Sequence, residues 1–331
     1  MFFLQKLKSP IALTLIFVFA AILISDYHFR WKDEQWKYVL YSDAGDYYAY
    51  LPMVFITHDY DLSQRALGVP VKHYIGTAIF HAPFFGAAYL FSKLFGFPDD
   101  GFSLPFQVSV SLASLFYLLA GLFFLRKFLK LYSIPESLIA IILIASVITT
   151  CTYYYAVIAP GWSHTISFML VSLLLYHSKK LYTMFNRWSL FVIPVALSFL
   201  FWTRPTDTVI VLLLPFIAGD KKVFSNTVKK ILNEKKILFL ALLTAILPAA
   251  CQLITYKLQT GSFIIWSYGN QEKFDFTNPE IFNVLFSYTK GLFVYTPVCF
   301  LALFGLIPFM KKYRAETIGI ILFSVIHIWI I

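Results

Sequence analysis

Two carboxylates stand three residues apart in the stretch SDAGDYYAYLP, residues 42–52. They are Asp43 and Asp46, at the head of an aromatic segment. An ionised carboxylate beside a reacting hydroxyl can take its proton, so the pair could supply a general base. The same residues at a helix start could simply cap it, which the helix dipole favours. Two cations occupy comparable places. Arg204, in FWTRPTD, interrupts a long apolar run, where a guanidinium without a partner is costly. Lys290 stands at the N-terminal edge of a late apolar run. Fixed positive charge there could hold an anion, helped at Lys290 by the helix dipole. Asp207 offers a structural partner for Arg204, and a snorkelling lysine is the plain alternative for Lys290.

The elements that would position these groups follow from composition. The chain has 331 residues, 59% hydrophobic, 19% aromatic and only 13% charged, which lies outside soluble averages. Several charge-free runs approach the roughly 20 residues needed to cross a bilayer. The expectation is an all-α polytopic membrane protein forming a single transmembrane domain. Its net charge of +10 then reports orientation rather than nucleic-acid binding. Cys151, Cys251 and Cys299 lie inside apolar runs without metal or disulfide spacing, and read as small hydrophobes. The N-terminal run lacks an A-x-A cleavage pattern and reads as an uncleaved first span.

Apolar runs fall near 10–26, 76–95, 104–125, 136–157, 165–182, 188–218, 237–258, 291–310 and 316–331. One span for each would send two short basic loops outward, against the positive-inside rule. Letting 76–95 lie in the interface, and breaking 188–218 at WTRPTD, repairs both. The segments 126–130, 179–187, 221–236 and 311–314 then share the cytoplasmic side with the N-terminus. Residues 27–103 become one outer loop carrying interfacial helices at about 43–57 and 76–95. His81, Pro83 and Gly86 suit the second of these poorly as a lipid-facing span.

With this order in place, the chain resembles the glycosyltransferase superfamily with the C-type membrane fold. The nearest likeness is to the branch of protein O-mannosyltransferases and aminoarabinose transferases. The matching stretches are SDAGDYYAYL, THDYDLSQ, HAPFFGAAY, FPDDGFSLPFQ, PGWSH, FWTRPTD and FSYTKGLFVYTP. Ala44 stands where the family has a second acidic residue, and His81-Ala82-Pro83 where it has Lys-Pro. The end at FSVIHIWII, inside an apolar run, leads us to expect that the C-terminal part of such an enzyme is missing.

The resemblance implies inverting transfer of a sugar from a polyprenyl-phosphate carrier to an acceptor hydroxyl on a glycan, lipid or protein. The site would face outward from the cell's inner membrane. Asp43 would be the general base, with Asp46 orienting the acceptor or standing in for the missing neighbour. Arg204 and Lys290 would hold the lipid phosphate. His81, His164, Trp266 and Tyr268 would contact substrate; an interfacial histidine or an aromatic belt would leave the same residues. Five histidines (28, 58, 73, 81 and 164) fall on the outer side, yet no spacing resembles a ligand set, so no metal is expected. The DYD at 59–61 reads as loop chemistry, and no nucleotide-binding glycine motif occurs. A transporter of lipid-linked glycans and an inactive truncated relative are the alternatives.

Overall fold

The computed structural model describes residue 18 and residues 34–60, 72–265 and 276–331. Among these the chain is helical throughout, with no strand. Besides short helical turns at Tyr50–Pro52, Ile281–Phe286 and Leu292–Tyr295, the α-helices among the described residues are, in chain order, α1 Asp43–Tyr48, α2 Gly76–Phe95, α3 Leu104–Lys130, α4 Glu136–Ile148, α5 Thr152–Val157, α6 His164–Met184, α7 Arg187–Thr203, α8 Lys221–Leu232, α9 Lys235–Thr260, α10 Val298–Lys312 and α11 Arg314–Ile330. Three of them, α2, α3 and α9, are long and apolar enough to cross a membrane.

Local chemistry sets the ends. Pro105 sits in the first turn of α3, and Lys127 and Lys130 in its last, where each suits the helix dipole. The Asn186 side chain caps α7 by accepting from the Ser189 N–H at 3.1 Å. Helix α7 stops where Arg204 precedes Pro205: the pre-proline residue is forced to extended backbone, φ −149° and ψ 95°. The rest of the 188–218 run is not a second short α-helix. It winds as 3-10 turns over Pro205–Leu212 and again over Phe216–Ala218. Pro205, Pro215 and the β-branched Thr206, Thr208, Val209, Ile210 and Val211 are poor α-formers.

The basic segments meet at one end of the bundle. Glu136 at the start of α4 takes Arg126 at 2.8 Å and Lys130 at 2.6 Å from the end of α3. Arg187 pairs with Glu234 at 2.8 Å, and Lys230 lies over the Phe185 ring at 5.4 Å. Lys179 reaches Glu316 at 3.3 Å and lies 4.3 Å over Tyr132, whose ring is 5.4 Å from that of Tyr313. Lys179 also donates to the Ile217 carbonyl at 3.1 Å.

Helix α2 has the length of a span and packs on α3 and the end of α7. Phe84 packs 5.6 Å from Phe116, while the adjacent Phe85 packs 5.1 Å from Phe106. Those α3 positions are about 15 Å apart at a rise of about 1.5 Å per residue, so neighbouring rings of α2 reach well-separated turns of α3. Its N-terminus meets the C-terminal end of α7, where a Cβ on Gly76 would sit 2.3 Å from the Trp202 carbonyl oxygen. Its inner face, Ala78, His81, Phe85 and Ala88, is buried, whereas Leu90, Phe91, Leu94 and Phe95 stay exposed.

Candidate functional site

The end opposite the basic residues gathers the start of α1, the turn before α2, the start of α6 and the end of α7. Helix α1 begins at Asp43, preceded by Ser42 at φ +55° and ψ −135°, a backbone region sparsely used by residues with a Cβ. Asp43 Oδ2 lies 3.5 Å from His73 Nε2, the outer limit of hydrogen bonding. The His73 imidazole holds the Asp43 carboxyl below its ordinary value, with Lys72 adding its charge, against the opposing effect of partial burial. The carboxylate is thereby kept ionised, as an acceptor of protons must be. Asp46, one turn on and half-buried, makes no hydrogen bond or ion pair among the described residues.

His73 is fixed by residues that sequence reasoning did not single out. Its ring stacks on Tyr47, centroids 4.3 Å apart and planes 22° from parallel. Its carbonyl accepts from the Tyr50 hydroxyl at 2.7 Å. Gln252, fully buried in α9, donates to that same hydroxyl at 3.3 Å and accepts from the Ile75 N–H at 2.6 Å. One amide thus pins both strands of the turn that presents the imidazole.

Tyr47 also links α1 to the second half of the site, because its oxygen accepts from the Ser163 hydroxyl at 3.2 Å. Burial pushes the Tyr47 phenol up, so it stays protonated. Gly161 permits this approach: a Cβ there would meet the Ala44 Cβ at 2.6 Å. Gly161→Ala is expected to destabilise the protein by about 1–3 kcal/mol through overpacking. The thermal midpoint in detergent checks it, and an unchanged midpoint would mean the 159–163 turn yields freely.

His164 follows at the start of α6, its ring stacked on Tyr155 at 3.3 Å. Arg204 Nη1 lies 2.9 Å from His164 Nε2, and since a guanidinium only donates, Nε2 accepts. The neutral ring then carries its proton on Nδ1, which is enclosed and has no partner among the described residues. Arg204 Nε donates to Asp207 Oδ2 at 3.0 Å, and the Ser167 hydroxyl donates to the same oxygen. Asp207 is therefore the structural partner of Nε, and His164 takes Nη1. Nη2 has no partner among the described residues, and the side chain is 27% exposed. Lys290 is exposed, forms no ion pair among the described residues, and its charge bears on the His164 ring. Gly291 lets the turn close behind it, since a Cβ would lie 2.4 Å from the Ser287 nitrogen.

The structure thus brings together Asp43, His164, Arg204 and Lys290. It does not bring His81 to them. That ring is 2% exposed on the inner face of α2, and neither of its nitrogens has a partner among the described residues. Trp266 and Tyr268 lie outside the described residues. No group of three or more His, Cys, Asp and Glu side chains that could hold a metal ion occurs among the described residues. Comparison with protein-family models, curated proteins and solved structures finds no match to this chain.

Proposed function

We propose that the chain is a membrane glycosyltransferase that moves a sugar from a polyprenyl-phosphate carrier to an acceptor hydroxyl at the outer face of the cell's inner membrane. The observation that supports it is the pairing of a proton acceptor with a half-open cation in one site. Asp43 meets His73, whose ring stacks on Tyr47, and Tyr47 accepts from Ser163 in the turn that carries His164, which meets Arg204. In such a transfer Asp43 takes the acceptor proton as its oxygen bonds to the anomeric carbon. The bond from that carbon to the phosphate oxygen breaks, and the charge left on the phosphate falls to Arg204 and Lys290. Attack opposite the leaving phosphate inverts the anomeric centre.

Placing the basic end in the cytoplasm, as the positive-inside rule favours, turns this site outward. The exposed apolar tip of α2 then suits a helix lying in the membrane surface. A transporter is favoured less. Its charged groups would interrupt helices near the midplane, whereas His164 opens α6 and Arg204 closes α7.

The test is transfer of radiolabelled sugar from polyprenyl-phosphate donors in membranes carrying the full chain. Transfer that depends on the chain is expected, with Arg204→Gln lowering it about 100- to 1000-fold. Transfer no greater than in membranes lacking the chain would overturn the reading.

A further inference from the structure

Beside Asp43 the surface opens into a cleft of about 450 Å³ that no step above uses. One wall is the segment 35–42, ending at Ser42, the residue before Asp43. The other runs from Tyr154 to Trp162, two residues before His164. The Trp162 ring lies 5.5 Å from Tyr155 and 5.8 Å from His164, so this wall backs onto the ring that Arg204 contacts. The cleft therefore abuts the site from both sides, through Ser42 next to Asp43 and through Trp162 next to the ring that Arg204 contacts, and an acceptor whose proton Asp43 takes could enter along it.

Its chemistry is specific. Among the described residues no charged side chain lines it, although the chain carries a net charge of +10 and charged groups stand just beyond both walls. A phosphate or a charged headgroup would find no counter-ion there. Tyr38, Tyr41 and Tyr154 are 64%, 73% and 49% exposed. Their phenol groups make no hydrogen bond among the described residues. With Trp162 they offer flat apolar faces edged by those phenol hydroxyls. Such a surface matches a ligand whose rings present apolar C–H faces and a rim of hydroxyls. An isoprenoid chain would leave those hydroxyls without partners, and an extended peptide would find no strand edge to pair with.

We infer that this cleft binds the acceptor and that the acceptor is a neutral saccharide. The inference rests on the transferase reading for its role, but the binding it asserts can be measured alone. The full chain, held in a detergent without sugar headgroups, is mixed with a panel of neutral oligosaccharides of glucose, mannose, galactose and N-acetylglucosamine. Saturation-transfer NMR then reads contact with the aromatic rings. At least one saccharide is expected to receive saturation. Tyr41→Ala and Tyr154→Ala, both at exposed positions, should each weaken its binding about 3- to 10-fold. Trp188→Ala, an exposed aromatic at the basic end, should leave it unchanged.

No saturation of any saccharide, or saturation unaltered by both cleft variants, overturns the proposal. So does displacement of the saccharide by a polyprenol or a serine-rich peptide that itself binds more tightly. Saccharide binding without sugar transfer would keep the cleft and remove the transferase reading. Transfer to a non-saccharide acceptor would do the reverse.

Discussion

Asparagine in place of Asp43 is expected to lower sugar transfer about 100- to 10 000-fold, with the folded protein retained. The substitution keeps the size of the side chain and removes only its capacity to take a proton. Asp43 is 34% exposed and is not part of the buried core, so the amide can be accommodated. Transfer is measured in membranes at matched expression, with the thermal midpoint as the check on folding. Equal transfer by both proteins would remove Asp43 as the base and leave Asp46, one turn away, as the remaining carboxylate. The pH profile gives a second readout. The proposed transfer requires Asp43 ionised, and His73 is the chief cause of its lowered pKa. Activity should therefore persist at pH values below the ordinary carboxylate range. In His73→Gln the acid limb should move upward, because the carboxyl regains its higher pKa. The same lowered pKa stabilises the fold. That contribution is complete above the unfolded carboxyl's pKa and is lost as pH falls through the folded one.

The second large effect is expected at the opposite end. Glu316 and Lys179 are 6% and 12% exposed, and their contact ties α11 to the end of α6. Glu316→Ala leaves a buried ammonium without its counter-ion and is expected to cost about 3–5 kcal/mol, read as a lowered unfolding midpoint in detergent. The double variant Lys179→Met, Glu316→Leu should recover most of that loss, because an apolar pair of similar volume avoids the desolvation of both charges. A double variant as unstable as the single one would mean that Lys179 acts through the Ile217 carbonyl and the Tyr132 ring instead.

Some of this was legible in the sequence and some was not, for identifiable reasons. The break at Arg204 could be read because a charge next to proline interrupts an apolar run, and both effects are local. The basic segments could be assigned to one end because alternation of helices fixes it. His73 could not be ranked above the other outer histidines, since its importance comes from a carboxylate 30 positions earlier and from the Tyr47 ring. Gln252 gave no signal either. A single amide in a long apolar helix reads as tolerated, and its partners lie 177 and 202 residues away. His81 drew attention through its type, but the alternation of α2 turns it inward beside Ala78 and Phe85. The weak α-propensity after Pro205 was present in the sequence, and hydropathy alone passed over it.

That tightly wound segment sets a length. The 3-10 residues of Pro205–Leu212 and Phe216–Ala218 rise about 2.0 Å each, about 22 Å together. The same residues wound as an α-helix would rise only about 17 Å. Arg204 at one end and the Lys179–Glu316 contact beside Ile217 at the other are thus joined by a segment wound mostly in 3-10 turns. Deleting one residue from it would draw the two ends together by about 2 Å, a fixed spacing that an ordinary transmembrane helix could supply only with more residues.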